Sequence, residues 1–183
     1  MIFKRKIYEK LMEWKKCEGS EALMIEGARR VGKSYIAEEF ARNEYDSYIL
    51  IDFSKAPKRV KDWFDEYLED VDTLLQNIQL HYKRQLTPRR SLIIFDEVQK
   101  CPRAREAVKS LVADHRFDYL ETGSLISIKK NVDGILIPSE EDGVDMYPMD
   151  FEEFLWAMGN EVMMPHEHGD RYLFHQRTRI SRI

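Results

Sequence analysis

Short apolar runs alternate along the chain with longer segments whose apolar residues recur at helical spacing. The predicted strands are residues 22–27, 47–54, 91–98, 117–124 and 143–151. A helix is predicted from Lys33 to about Asn43, and residues 56–86 predict two more. Strands that alternate with helices indicate an α/β fold, in which a mostly parallel sheet is covered by helices on both faces.

A basic amphipathic helix is predicted before the first strand, over residues 3–16. Its apolar residues Ile7, Leu11 and Trp14 fall on one face. Such a helix suits either a membrane surface or the surface of a protein core, and we favour the core. No stretch approaches the roughly 20 apolar residues that a membrane span needs. We therefore expect no membrane partner.

Composition narrows the class of protein. A chain of 183 residues with 43% hydrophobic residues is long and apolar enough for one packed domain with a small appendage. The net charge of -4 argues against general affinity for nucleic acid. The basic segment 171–183 leaves a nucleic-acid contact open, although a solvated end is the favoured interpretation. Cys17 and Cys101 are expected to be free thiols in a cytoplasmic protein.

The segment GARRVGKS, residues 27–34, fits the phosphate-loop pattern G-x-x-x-x-G-K-[ST]. It follows a predicted strand and opens a predicted helix, so its backbone N–H groups and the helix N-terminus can attract phosphate. Lys33 is expected to reach the β- and γ-phosphates, and Ser34 to bind Mg²⁺. One of Arg29 and Arg30 is expected to contact phosphate or a neighbouring carboxylate; the alternative is that both are solvated at the loop tip. The predicted nucleotide-binding residues of this segment are Gly27, Ala28, Arg29, Arg30, Val31, Gly32, Lys33, Ser34 and Tyr35.

Two adjacent carboxylates end the third predicted strand. Asp96 and Glu97 follow the apolar run LIIF, and ligands of open α/β sheets bind at the C-terminal ends of strands. We expect Asp96 to organise Mg²⁺ together with Ser34, and Glu97 to accept a proton from the attacking water. The alternative is that the pair only caps the next helix.

The fourth predicted strand also ends in polar residues, in the sequence ETGS. A hydroxyl at this position can orient an attacking water and respond to the γ-phosphate. Thr122 is the first choice for this role and Ser124 the second. The alternative is an ordinary turn, because Thr-Gly-Ser is common in turns.

The segments GARRVGKS, LIIFDEVQ, ETGS and YPMDFEEFL together resemble the ATPase domain of a large AAA-type family of archaea and bacteria, from residue 3 to about 158. The resemblance implies a three-layer P-loop fold with a parallel sheet in the order 5-1-4-3-2, which binds ATP and Mg²⁺. It implies a fifth strand that contains Pro148, and it places Arg5 and Tyr8 near the base. Family members continue into further domains, so 1–158 is expected to be the ATP-binding domain and 159–183 an extension or the start of a following domain.

These features favour hydrolysis of ATP, with Lys33, Glu97 and Thr122 as catalytic residues. The energy would change the conformation of an attached domain or of a partner, either another copy of the chain or another protein. Two alternatives remain: an ATP-binding switch with little turnover, and a P-loop kinase. The Asp-Glu pair on a central strand favours hydrolysis, because P-loop kinases of small molecules usually lack it.

Overall fold

The computed structural model describes residues 4–124 and 141–159. The helices are α1 (Ile7–Lys15), α2 (Lys33–Glu44), α3 (Lys58–Glu66), α4 (Val71–Tyr82), α5 (Pro102–Ala113) and α6 (Phe151–Ala157), with a 3₁₀ turn at Val98–Lys100. The strands are β1 (Ala22–Gly27), β2 (Ser47–Asp52), β3 (Ser91–Asp96), β4 (Asp118–Ser124) and β5 (Glu141–Met146). These elements fall into two compact units, one comprising Lys6–Pro148 and the other residues 4–5 with 149–159.

The strands form one parallel sheet in the order β2-β3-β4-β1-β5. This is the predicted order 5-1-4-3-2 read from the other edge, so the predicted fold class is confirmed. The register pairs Asp52 with Asp96, and Ile25 with Thr122. The C-terminal ends of the three central strands therefore meet at one edge of the sheet, where α/β proteins bind ligands.

Each face of the sheet carries its own apolar core. On one face α1 and α2 contribute Ile7, Leu11, Trp14, Ile36, Ala37, Phe40 and Ala41. On the other face α3, α4 and α5 contribute Val60, Trp63, Phe64, Leu74, Leu75, Ile78, Ala104, Ala107, Val108, Leu111 and Val112. The prediction that α1 packs on the core is confirmed. Across the described segments, no helix combines the length and apolar character of a membrane span.

The fifth strand ends earlier than predicted. It stops at Met146 rather than near residue 151, and Pro148 follows the strand instead of lying within it. Pro148 has no N–H to donate to a strand ladder. Asp150 then accepts a hydrogen bond from the backbone of Glu153, and the Glu153 side chain accepts one from the backbone of Asp150. This capping box starts α6 where the sequence pattern had continued the strand.

The structure tests the prediction for the two cysteines but not the prediction for the C-terminal extension. Cys17 is exposed, Cys101 is buried, and both are free thiols as predicted. Residues 160–183, which contain most of the predicted extension and all of the basic segment 171–183, lie outside the described residues. Their predicted roles stay predictions.

Candidate phosphate-binding site

Two glycines shape the loop between β1 and α2. Gly27 has a φ of 157°, and a Cβ atom there would lie 2.2 Å from the main-chain oxygen of Met146 on β5. Gly32 caps α2 with a φ of 101° and a ψ of 18°. Side chains disfavour both conformations, so only glycine lets the loop turn and approach β5 so closely. The loop thus delivers the N-terminus of α2 to the C-terminal edge of the sheet, as phosphate binding requires.

Lys33 lies folded against this loop. Its Nζ donates hydrogen bonds to the carbonyl oxygens of Gly27, at 3.0 Å, and Ala28, at 2.8 Å. The residue is 5% exposed. Burial lowers the pKa of Lys33, whereas the negative charges of Glu97 and Asp96 act in the opposite direction. An ammonium group whose hydrogen-bond partners are neutral carbonyls is suited to exchange those partners for charged phosphate oxygens, which accept stronger hydrogen bonds.

Asp96 is the point where the phosphate loop and the central strands meet. Its Oδ1 accepts one hydrogen bond from Ser34 Oγ and another from Thr122 Oγ1, each at 2.6 Å. Asp96 is 5% exposed, and the two hydroxyl donors stabilise its buried negative charge. The structure therefore brings together the two residues predicted to bind Mg²⁺, Ser34 and Asp96, and adds Thr122 to them.

Glu97 leaves the strand in a left-handed conformation, with φ 56° and ψ 46°. Its N–H donates to Thr122 Oγ1 at 3.2 Å, so the Thr122 hydroxyl bridges Asp96 and Glu97. The Thr122 hydroxyl already donates its hydrogen to Asp96 Oδ1, and donation to a γ-phosphate would require that hydrogen bond to break. The predicted response of Thr122 to the γ-phosphate thus remains a prediction.

Sequence reasoning missed one member of this site. Gln99 donates from Nε2 to Glu97 Oε2 at 2.6 Å and is itself 7% exposed. The one available signal was a polar residue two positions after the acidic pair, and nothing in the sequence shows that it turns back. Asp52, at the neighbouring strand end, is engaged instead by Ser54 and Lys55.

The other predicted residues lie around this centre or away from it. Ala28, Arg29 and Arg30 are exposed at the loop tip, Val31 is half-buried, and Tyr35 is exposed in the first turn of α2. Ser124, the second choice on β4, is buried opposite Gly27 in the register.

The two residues expected near the base have other contacts. The Tyr8 hydroxyl donates to Glu44 Oε1 at 2.8 Å, and burial together with this hydrogen bond raises the pKa of Tyr8 to about 12. In the second unit, Arg5 Nε forms a buried ion pair with Glu153 Oε1 at 3.1 Å. The base contacts of Arg5 and Tyr8 remain predictions.

Residues 19–155 match the AAA domain family. The chain belongs to this family. The match spans the phosphate loop, the acidic pair and the end of β4, so the resemblance read from the sequence is confirmed, and the chain contains a P-loop nucleotide-binding AAA domain. No curated protein sequence matches the chain.

Two solved structures are similar to the chain at low sequence identity. C. elegans PCH-2 is 12% identical, with a TM-score of 0.46 over 92% of this chain and 51% of the PCH-2 chain. The DnaC helicase loader is 12% identical, with a TM-score of 0.48 over 80% of this chain and 94% of the loader chain. The chain thus spans about half the length of PCH-2.

The donor set of the AAA domain suits Mg²⁺. Within residues 4–124 and 141–159, no group of three or more His, Cys, Asp or Glu residues could hold a metal ion by itself. Mg²⁺ is usually held by one or two protein carboxylates, with phosphate and water as its other ligands. One hydroxyl and one carboxylate, Ser34 and Asp96, match that chemistry when a nucleotide supplies phosphate oxygens.

Proposed function

We propose that this AAA domain binds ATP with Mg²⁺ and hydrolyses it. The observation that carries the proposal is the meeting of Ser34 and Thr122 on one oxygen of Asp96, with Glu97 as the next residue. A phosphate loop alone accounts for binding. A second, adjacent carboxylate whose backbone is tied to the same cluster supports a role in bond cleavage.

The residues would divide the work as follows. The N–H groups of the loop and the ammonium group of Lys33 bind the phosphates, and Lys33 gives up its hydrogen bonds to two loop carbonyls in exchange. Ser34 and Asp96 would hold Mg²⁺, which when bound neutralises the negative charge of the phosphates. Glu97 takes the proton of the attacking water, and the Thr122 hydroxyl links the Asp96 carboxylate to the backbone N–H of Glu97.

We further propose that hydrolysis changes the conformation of an attached domain or of a partner, either a second copy of the chain or another protein. The support is the position of the catalytic groups at the ends of β1, β3 and β4. Any rearrangement of Asp96, Glu97 or Thr122 on hydrolysis would therefore displace the ends of two central strands, β3 and β4, at once.

Phosphate release from ATP with Mg²⁺ tests the proposal. Lys33→Ala should weaken ATP binding in calorimetry, whereas Glu97→Gln should keep binding and lower turnover by at least about 100-fold. Lys109→Ala and Glu66→Gln change the same residue types at exposed positions and should behave as wild type.

Two outcomes would contradict hydrolysis. If wild type binds ATP but releases phosphate no faster than Glu97→Gln, the domain is a nucleotide switch. If labelled phosphate moves from ATP to an acceptor molecule and is not released, the domain is a kinase.

A further inference from the structure

We infer that Gln99 is a positioning residue for the Glu97 carboxylate: its side-chain amide fixes the general base by a direct hydrogen bond. The inference rests on the proposed function, because it assigns Gln99 a role in the same reaction. Its geometric basis is the 2.6 Å bond from Gln99 Nε2 to Glu97 Oε2. A short hydrogen bond to a carboxylate is among the stronger ones in proteins.

The backbones of both residues in this hydrogen bond, Glu97 and Gln99, are held in place by other contacts. Glu97 N–H is held by Thr122 at 3.2 Å, and the Glu97 carbonyl accepts the N–H of Lys100 at 2.9 Å. Gln99 belongs to the 3₁₀ turn that this second bond closes, and Val98, between the two, is fully buried. The backbone conformation of Glu97 is therefore fixed. The remaining freedom lies in the side-chain torsions, and the Gln99 amide restrains those.

The restraint has a chemical consequence. With Oε2 engaged by Gln99, the geometry leaves Oε1 to accept the proton of a water molecule. The negative charge of Glu97 acts on the phosphate loop, since it opposes the lowering of the Lys33 pKa by burial. A general base must keep such an orientation when the substrate is in place, and groups that hold a catalytic side chain commonly contribute a factor of 10–100.

The side-chain length is part of the inference. Asparagine is one methylene shorter, so its amide would fall about 1.5 Å short of Glu97 on the same backbone. Glutamate keeps the shape of glutamine but replaces the donor by an ionised acceptor, which would repel Glu97. Leucine keeps the approximate volume and removes the donor. These three changes separate donation from the filling of space.

Turnover of ATP with Mg²⁺, measured on the full chain, tests the role. Gln99→Leu, Gln99→Glu and Gln99→Asn should each lower kcat by about 10- to 100-fold and leave the Kd for ATP within about twofold. Lys100→Ala alters an exposed residue of the same 3₁₀ turn and should keep the wild-type kcat. A wild-type or raised kcat in all three Gln99 variants would overturn the inference.

A double-mutant cycle separates positioning from general damage. In a Glu97→Gln background the carboxylate is already gone, so adding Gln99→Leu should leave the residual rate unchanged. If Gln99→Leu lowers that rate by the same factor as in wild type, or if it weakens ATP binding in parallel with kcat, Gln99 is only structural. The hydrogen bond itself is checked by the Gln99 side-chain amide resonance, which should shift in Glu97→Ala and stay in place in Glu66→Ala.

The two proposals fail differently. If wild type releases phosphate and Glu97→Gln does not, but the Gln99 variants match wild type, then hydrolysis stands and the positioning role is wrong. If wild type releases no phosphate from ATP, hydrolysis is wrong and Gln99 has no reaction to serve.

Discussion

Thr122→Val removes the hydroxyl that joins the two acidic residues and leaves the shape of the side chain almost unchanged. In wild type this hydroxyl donates to Asp96 at 2.6 Å and accepts the N–H of Glu97 at 3.2 Å, and Thr122 is fully buried. A valine side chain can neither donate nor accept a hydrogen bond. The variant therefore deprives a buried carboxylate of one of its two hydroxyl donors and leaves a backbone N–H without its acceptor.

The cost follows from these two losses. A hydrogen bond to a charged group contributes about 1.5–3 kcal/mol, and an unsatisfied buried N–H costs about 1–3 kcal/mol. The extra buried methyl of valine returns about 1 kcal/mol. We expect the free energy of unfolding to fall by about 3 kcal/mol. Thr122→Ser keeps the hydroxyl and loses only a methyl group, so it should cost about 1 kcal/mol.

Urea unfolding followed by tryptophan fluorescence measures the difference. With an m-value of about 2 kcal/mol/M, the Thr122→Val midpoint should fall by about 1.5 M and the Thr122→Ser midpoint by about 0.5 M. Thr87→Val, at an exposed position, should shift the midpoint little. Equal midpoints for Thr122→Val and Thr122→Ser would refute the reasoning, because the hydroxyl would then contribute nothing beyond its methyl neighbour.

Three further substitutions test other contacts. Gly27→Ala places a Cβ atom 2.2 Å from a main-chain oxygen of β5, so ATP affinity in calorimetry should fall at least about tenfold, whereas Gly143→Ala, whose Cβ meets nothing within 4 Å, should bind normally. Burial and the Glu44 hydrogen bond raise the pKa of Tyr8 from 10.0 to about 12, so the stability from this pair is full below pH 10 and is lost as the pH rises toward 12. Tyr8→Phe should lower the free energy of unfolding by about 1 kcal/mol at pH 7. In urea unfolding at pH 7 and 11, the variant should lose less stability between the two pH values than wild type does. Arg5→Met removes the cation from a buried ion pair, which costs about 3 kcal/mol, and hydrogen exchange should show faster exchange of the α6 amides.

The sheet was predictable because the central strands are buried on both faces. β3 is buried at every position and β1 at all but one, so their sequences are continuous apolar runs that stand out from the amphipathic helices. The strand order came from the family resemblance. The edge strand β5 was harder, because its sequence is polar and alternates. Apolar periodicity does not mark its end at Met146, after which Pro148 has no N–H for a strand ladder and a capping box at Asp150 starts α6.

The residues of the site were predictable, but their mutual contacts were not. The motif spacing named Lys33, Asp96 and Glu97, since those positions are fixed by the strand and helix that carry them. Which hydroxyl donates to which carboxylate depends on side-chain torsions and on register across three elements. The bridge formed by Thr122 and the bond from Gln99 to Glu97 are of this kind.

Glu97 shows why the site needs those two contacts. Along β3, Leu92 and Ile94 face α2, as does Asp96, so a continued strand would direct Glu97 to the opposite face and away from the phosphate loop. The left-handed backbone at φ 56° ends the strand at once, at a cost of about 1–2 kcal/mol for a residue other than glycine. The hydrogen bonds from Glu97 N–H to Thr122 and from Gln99 to the carboxylate contribute enough free energy to offset that cost. The same two hydrogen bonds that offset the cost of the left-handed backbone therefore also orient the Glu97 carboxylate. For this reason we expect their loss to lower turnover more than nucleotide binding.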